Sequence, residues 1–171
     1  KLSKAEKLIL PGVGTFGDGM NNLDKLNLIG PLNQLVLEKK KPILGICLGF
    51  QLFFKESEEF GWNKGLGWIE ASVVKMKAEE LNEPVPHVGW NDFFKSSKSI
   101  LWENIPDNAL FYYVHSYHVM KTDKDWVAGI CNYGCDFVGA IQKNNIYGTQ
   151  FHPEKSQLHG LEVLKNFIEK G

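Results

Sequence analysis

The 171 residues, 43% of them hydrophobic, suffice for one globular domain with its own core and are too few for two ordinary ones. Charged residues make up 23% at a net charge of −1, which excludes a disordered or strongly basic chain; all 19 cationic side chains are lysine, and the lack of arginine argues against nucleic acid as the ligand. No apolar run approaches the roughly 18 residues of a membrane span, and three cysteines are an odd number for a disulfide framework, so a cytoplasmic protein with no membrane partner is expected.

Leu8-Ile9-Leu10 is a short apolar run stopped by Pro11-Gly12, which predicts a strand entering a loop. That loop, residues 11–19, holds four glycines in nine residues. Leu23, Leu26, Ile29, Leu32, Leu35 and Val36 then recur at helical spacing, which Gly30-Pro31 is expected to split or kink. Lys39-Lys40-Lys41 suits a helix C-terminus, Ile43 to Ile46 reads as a second buried strand, and a helix is expected over 48–56. Apolar strands alternating with helices predict an α/β fold with a parallel sheet covered on both faces. Beyond Gly61, strands are expected at 69–76, 84–88, 109–114, 126–131, 137–142 and 146–150, separated by turn residues as in an antiparallel meander. A helix over 159–170 closes the chain, which reads as a single domain, 1–171.

The sharpest local feature is Gly45-Ile46-Cys47-Leu48-Gly49, directly after a buried strand and before a helix. A G-x-nucleophile-x-G turn lifts its central side chain above the sheet. Glycine is needed on either side because a Cβ there would strike a neighbouring strand or helix. The helix N-terminus at Cys47 is expected to favour the thiolate, and the Leu48 N–H to face the same space as an oxyanion donor. A free thiol is more often a buried structural residue; Cys131 and Cys135 are read that way, the first in a strand and the second in a turn. Their spacing offers no second ligand pair, so no metal site is expected.

A nucleophilic cysteine needs a base, and the base needs an orienting group. His152-Pro153-Glu154 follows the last strand, and a carboxylate two residues from an imidazole can orient it and stabilise its cation. Strand ends meeting at one edge of a parallel sheet would bring Cys47 and His152 together. His87, His115 and His118 are expected to shape a substrate or partner surface, and His159 to be exposed.

Gly45 to Gln51 and Phe151-His152-Pro153-Glu154 resemble the class I, triad-type glutamine amidotransferases. Pro11 to Gly14, Pro86 to Asn91, His115-Ser116-Tyr117 and Gly148 to Ser156 resemble more narrowly the glutaminase subunits of imidazole glycerol phosphate synthase. The resemblance covers essentially the whole chain. It implies a flavodoxin-like mixed sheet flanked by helices, with glutamine as substrate and no cofactor. Cys47 is then the nucleophile, His152 the base and Glu154 its orienter, with Gly12, Val13, Gly14 and Leu48 forming the oxyanion hole. Gln51, Glu59, His115, Ser116 and Tyr117 are implied to bind the substrate. Trp90, Tyr112 and Lys155 are implied to face a (β/α)8-barrel cyclase, the partner that uses the ammonia in histidine biosynthesis. The Pro11–Gly14 loop is a candidate switch coupling the two, since glycine lets a peptide reorient cheaply. Two departures stand out. Phe50 occupies a position where methionine is usual, and the β-α-β segment that normally precedes the Pro-Gly-Val-Gly loop is missing, which implies an N-terminally truncated domain.

Three other readings compete. A paralogous glutaminase could supply a surface-sugar amidotransferase, and these motifs do not separate the two pathways. A γ-glutamyl peptidase on the same fold is disfavoured by Gln51 and Trp90-Asn91. A scaffold with a dead site is disfavoured by the intact Cys, His and Glu.

Overall fold

The computed structural model of the chain describes residues 2–77, 80, 82–96 and 99–171. Its main sheet has six strands: β1 (Leu8–Gly12), β2 (Ile43–Cys47), β7 (Phe94–Lys95), β10 (Val127–Tyr133), β11 (Cys135–Lys143) and β12 (Ile146–Thr149), in the order β1-β2-β12-β11-β10-β7. β1, β2 and β12 run parallel, while β12, β11, β10 and β7 alternate antiparallel. The mixed sheet is the arrangement expected from an apolar first half and a turn-rich second half. Central β2 is buried at all five positions, as a strand covered on both faces must be.

The alternation of β2 and β12 divides the core. Ile43 and Ile146 join Leu35, Val36, Phe50 and Phe54 on one face. Leu44, Ile46 and Tyr147 meet Phe151, Val163 and Phe167 on the other. Each such aliphatic or aromatic side chain contributes roughly 1.5–3 kcal/mol by leaving water. Helices α1 (Phe16–Lys25) and α2 (Ile29–Asn33) supply Phe16, Leu23 and Leu32 to the first cluster. The closing helix α4 (Gln157–Lys170) packs against the second.

A second sheet, in the order β4-β3-β5-β9, comprises β3 (Phe54–Ser57), β4 (Asn63–Lys64), β5 (Ile69–Lys75) and β9 (Tyr117–His118). β6 (His87–Asp92) and β8 (Leu110–His115) form a separate antiparallel pair.

Five local expectations are corrected. Gly30-Pro31 does not break the helical stretch; the break is at Leu26–Leu28, where Asn27 takes a φ of 52°. Pro31 lies in the first turn of α2, where its missing N–H has no helical partner to lose. The helix expected over 48–56 is α3 (Leu48–Gln51) alone, because the chain leaves it for β3, parallel to β5. Pro11 does not end β1 but pairs in register with Ile46, which an edge strand tolerates. β6 starts only at His87, after two prolines that cannot donate to a ladder. Cys135 opens β11 rather than lying in the turn before it.

Candidate active site

The parallel registers bring three strand ends to one place. Gly12 of β1 pairs with Cys47 of β2, and Thr149 of β12 pairs with Ile46. The loops that follow therefore leave the same edge of the sheet, carrying Val13-Gly14, the Cys47 turn and Gln150 to Glu154. They line a cleft of about 270 Å³ with Leu48, Gln51, Glu59, Val114, His115, Ser116 and Tyr117.

The Cys47 turn is as tight as its glycines imply. A Cβ on Gly49 would lie 1.7 Å from the Leu10 carbonyl oxygen, and one on Gly45 would lie 2.7 Å from the Phe50 Cα. Cys47 itself takes a φ of 52° and ψ of −108°, outside the regions open to an L-residue. Its thiol donates a long hydrogen bond to the Val114 carbonyl at 3.8 Å and accepts one from Gln150 Nε2, also at 3.8 Å.

The expected thiolate is a correction. Burial pushes the Cys47 thiol up to about 11; the Leu48 N–H and Lys155 pull it down, and Glu154 pushes it further up. α3 has four residues, too short for a dipole that outweighs desolvation. Burial thus favours the thiol over the thiolate.

His152 is buried, and its Nδ1 stands 2.7 Å from Glu154 Oε1. That carboxylate fixes the proton on Nδ1 and leaves Nε2 with no hydrogen-bond partner among the described residues. The backbone of this segment is held as well: His152 N–H donates to the Tyr112 carbonyl at 2.9 Å, and Ser156 Oγ donates to the His152 carbonyl at 2.6 Å.

The remaining predicted residues divide into those that line the cleft and those that support it. Gly14 takes a φ of 104°, which glycine alone adopts freely, and Val13 is largely exposed at the cleft. Gly12 packs against Leu48 instead of lining the space. Glu59 lines the cleft while accepting from the Phe16 N–H at 2.7 Å, so it also ties down the start of α1. Gln51 donates through Nε2 to the Tyr117 carbonyl and to Gln150 Oε1, each at 3.0 Å.

Trp90, Tyr112 and Lys155 gather on a nearby surface. The Trp90 and Tyr112 rings meet edge-on at 6.0 Å, and Lys155 Nζ sits 5.9 Å over the Tyr112 ring. His87 and His118 do not form a surface: both are buried, and burial lowers each to about 4. His159 is half-buried beside Trp90. Sequence reasoning passed over Gln150 and Ser156, although both fall inside the motif from Gly148 to Ser156; the spacing marked the segment without saying whom each side chain meets. Among the described residues no cluster of three or more His, Cys, Asp or Glu could hold a metal, and no helix is long and apolar enough to cross a membrane.

A buried cysteine on a strained turn, sharing a cleft with a carboxylate-clamped histidine, is the arrangement of a triad hydrolase. The chain belongs to the class-I glutamine amidotransferase family, whose family model matches residues 2–170. It is 49% identical over 167 residues to the imidazole glycerol phosphate synthase subunit HisH 1 of Campylobacter jejuni, covering 98% of this chain and 82% of that one. It is 48% identical over 169 residues to HisH 2 of Methanococcus maripaludis, covering 99% and 83%. Within the class, these relatives place the chain in the family of HisH subunits. The fold agrees with that of a glutamine amidotransferase from Thermotoga maritima, at a TM-score of 0.67 and 20% identity over 99% of this chain and 63% of that one.

Proposed function

We propose that this chain hydrolyses the side-chain amide of glutamine and delivers the ammonia to a cyclase partner that forms imidazole glycerol phosphate. The observation that carries the reading is the buried His152, clamped at Nδ1 by Glu154, with its Nε2 unpartnered among the described residues in the cleft that holds Cys47.

Cys47 starts as a thiol, so its proton must move as it attacks. His152 Nε2 takes that proton while Sγ bonds to the carboxamide carbon. Negative charge then builds on the amide oxygen, and the Leu48 N–H with the Val13-Gly14 peptides is suited to meet it; losing one such donor typically costs roughly 10²–10³ in rate. The imidazolium, stabilised by Glu154, returns its proton to the nitrogen as the C–N bond breaks and ammonia leaves. Neutral His152 next takes a proton from water, whose oxygen attacks the thioester. The C–S bond breaks, glutamate leaves, and Sγ recovers its proton.

Ammonia released into water at neutral pH would become ammonium and lose its nucleophilicity, so the product needs an enclosed path into the partner, here a (β/α)8 barrel. The Trp90, Tyr112 and Lys155 surface is the docking face. It adjoins the base directly, since Tyr112 holds the His152 backbone. The protein works in the cytoplasm without nucleic acid or membrane.

The test is Cys47→Ala in the assembled complex. Glutamine-dependent ammonia release is expected to fall to background while the partner still co-purifies. Retained release with glutamine would sink the triad assignment.

A further inference from the structure

Two buried imidazoles take no part in those steps. His87 opens β6 and His115 ends β8, directly paired in the register, with His87 Nδ1 and His115 Nε2 3.0 Å apart. The direction of the hydrogen bonds follows from the far end of the chain of contacts. A carbonyl can only accept, so His115 Nδ1, 2.9 Å from the Tyr117 oxygen, carries its hydrogen. Burial, reinforced by His87, holds His115 neutral, its pKa lowered to about 3. Its Nε2 therefore has only a lone pair, and His87 Nδ1 must donate to it. Burial keeps His87 neutral too, which leaves its Nε2 as an acceptor 3.4 Å from Asn91 Nδ2. The result is one directed run from Asn91 through His87 and His115 to the Tyr117 carbonyl.

The pair is rigid. The His87 ring stacks on Tyr113 and Tyr133, at centroid distances of 4.9 and 3.9 Å. The Tyr117 carbonyl also accepts from Gln51 Nε2. An oxygen gripped by two fixed donors cannot swing, and Tyr117, which bears it, lines the cleft together with Ser116.

We propose that His87 and His115 act together as positioning residues for glutamine, setting the Tyr117 carbonyl and through it the Ser116–Tyr117 wall that receives the substrate. The identity of the substrate rests on the glutaminase reading; the pair itself rests on hydrogen-bond geometry. The base is held by other contacts, through Glu154 and Tyr112. Losing the pair should therefore weaken substrate binding more than it slows the chemistry.

Three variants separate these roles in the assembled glutaminase–cyclase complex. Asparagine places an amide nitrogen near the Nδ1 position, so His115→Asn keeps the donor to Tyr117. His115→Gln reaches toward the Nε2 position and leaves that carbonyl with one donor, and His87→Phe strips the acceptor on His115 of its partner. The KM for glutamine should rise roughly 10-fold in His115→Gln, which loses the donor to Tyr117, and by only about threefold in His87→Phe and His115→Asn, which keep that donor and lose the His87–His115 bond, with kcat within about threefold throughout. Nitrogen-15 imidazole NMR of the wild-type chain should find both rings neutral and protonated at Nδ1. A KM unchanged in all three variants, a His115→Asn no better than His115→Gln, or a His115 protonated at Nε2 would overturn the proposal. A wild-type complex that releases no ammonia would instead remove the glutaminase reading and the substrate half with it, while the NMR result still decides the pair.

Discussion

Cys47 carries two costs that its chemistry imposes. The first is backbone strain: a φ of 52° with ψ of −108° costs an L-residue of order 1–3 kcal/mol, and glycine largely escapes it. Glycine gives back about 0.4–1 kcal/mol through the entropy of the unfolded chain. Cys47→Gly should thus be more stable than Cys47→Ala by about 1 kcal/mol, both being inactive. Urea unfolding of the two variants checks this, and a less stable glycine variant would mean that the turn is not strained. The second cost is burial, which holds the thiol at about 11. Alkylation of Cys47 by iodoacetamide, followed by peptide mass spectrometry on the isolated chain, should climb about tenfold per pH unit from pH 7 to 10. An ordinary thiol levels off near its pKa of about 8.5. A plateau below pH 8 would show that His152 already holds a thiolate at rest.

At the scale of elements, β8 is the piece that joins the parts of the site. One of its edges pairs with β6; the other is taken by the active-site loops. Tyr112 accepts from the His152 N–H and donates its own N–H to Ser156 Oγ at 2.9 Å, and the Val114 carbonyl meets the Cys47 thiol. The strand ends in His115 and leads into Ser116-Tyr117, so one element touches nucleophile, base and substrate wall. Ser156, itself buried, closes the link by bonding both Tyr112 and the His152 carbonyl. Ser156→Ala leaves the Tyr112 N–H without that acceptor, at a cost of about 1–3 kcal/mol. It also loosens the base, for which an error of about 1 Å costs on the order of 10²-fold. We expect kcat to fall 10- to 100-fold in the complex with KM little changed, the reverse of the pattern for His115→Gln. Steady-state kinetics with glutamine would refute this if KM rose and kcat held.

For the whole molecule, what was legible in the sequence is what local spacing determines. The cysteine elbow and His152-Pro153-Glu154 each lie within a few residues, and the rule that parallel strand ends converge was enough to bring them together. The truncated helix after Cys47 and the run of β1 through Pro11 were not legible, because partner strands decide them and not the residues' own periodicity. The same holds for titration. The chain does not announce that Cys47, Cys131, His87, His115 and His118 are buried with their charged forms disfavoured, and this shapes the stability of the entire fold. Each of these histidines titrates near 6.5 when unfolded and at about 3 to 4 when folded. Between those values the unfolded chain binds more protons, so their contribution is complete above pH 6.5 and is lost as pH falls. For His115 alone that loss is on the order of 2 kcal/mol by pH 5. The cysteines act with the opposite sign. Cys47 and Cys131 are raised to about 11 and 12, so the folded chain keeps protons that the unfolded one releases above 9, and stability falls as pH rises from there. Urea midpoints should therefore form a plateau between about pH 6.5 and 9 with a decline on each side. His118→Phe should soften the acid limb, since one buried ring no longer has to gain a proton. Equal midpoints at pH 7.5 and 5 would mean that these histidines take up protons without opening the fold.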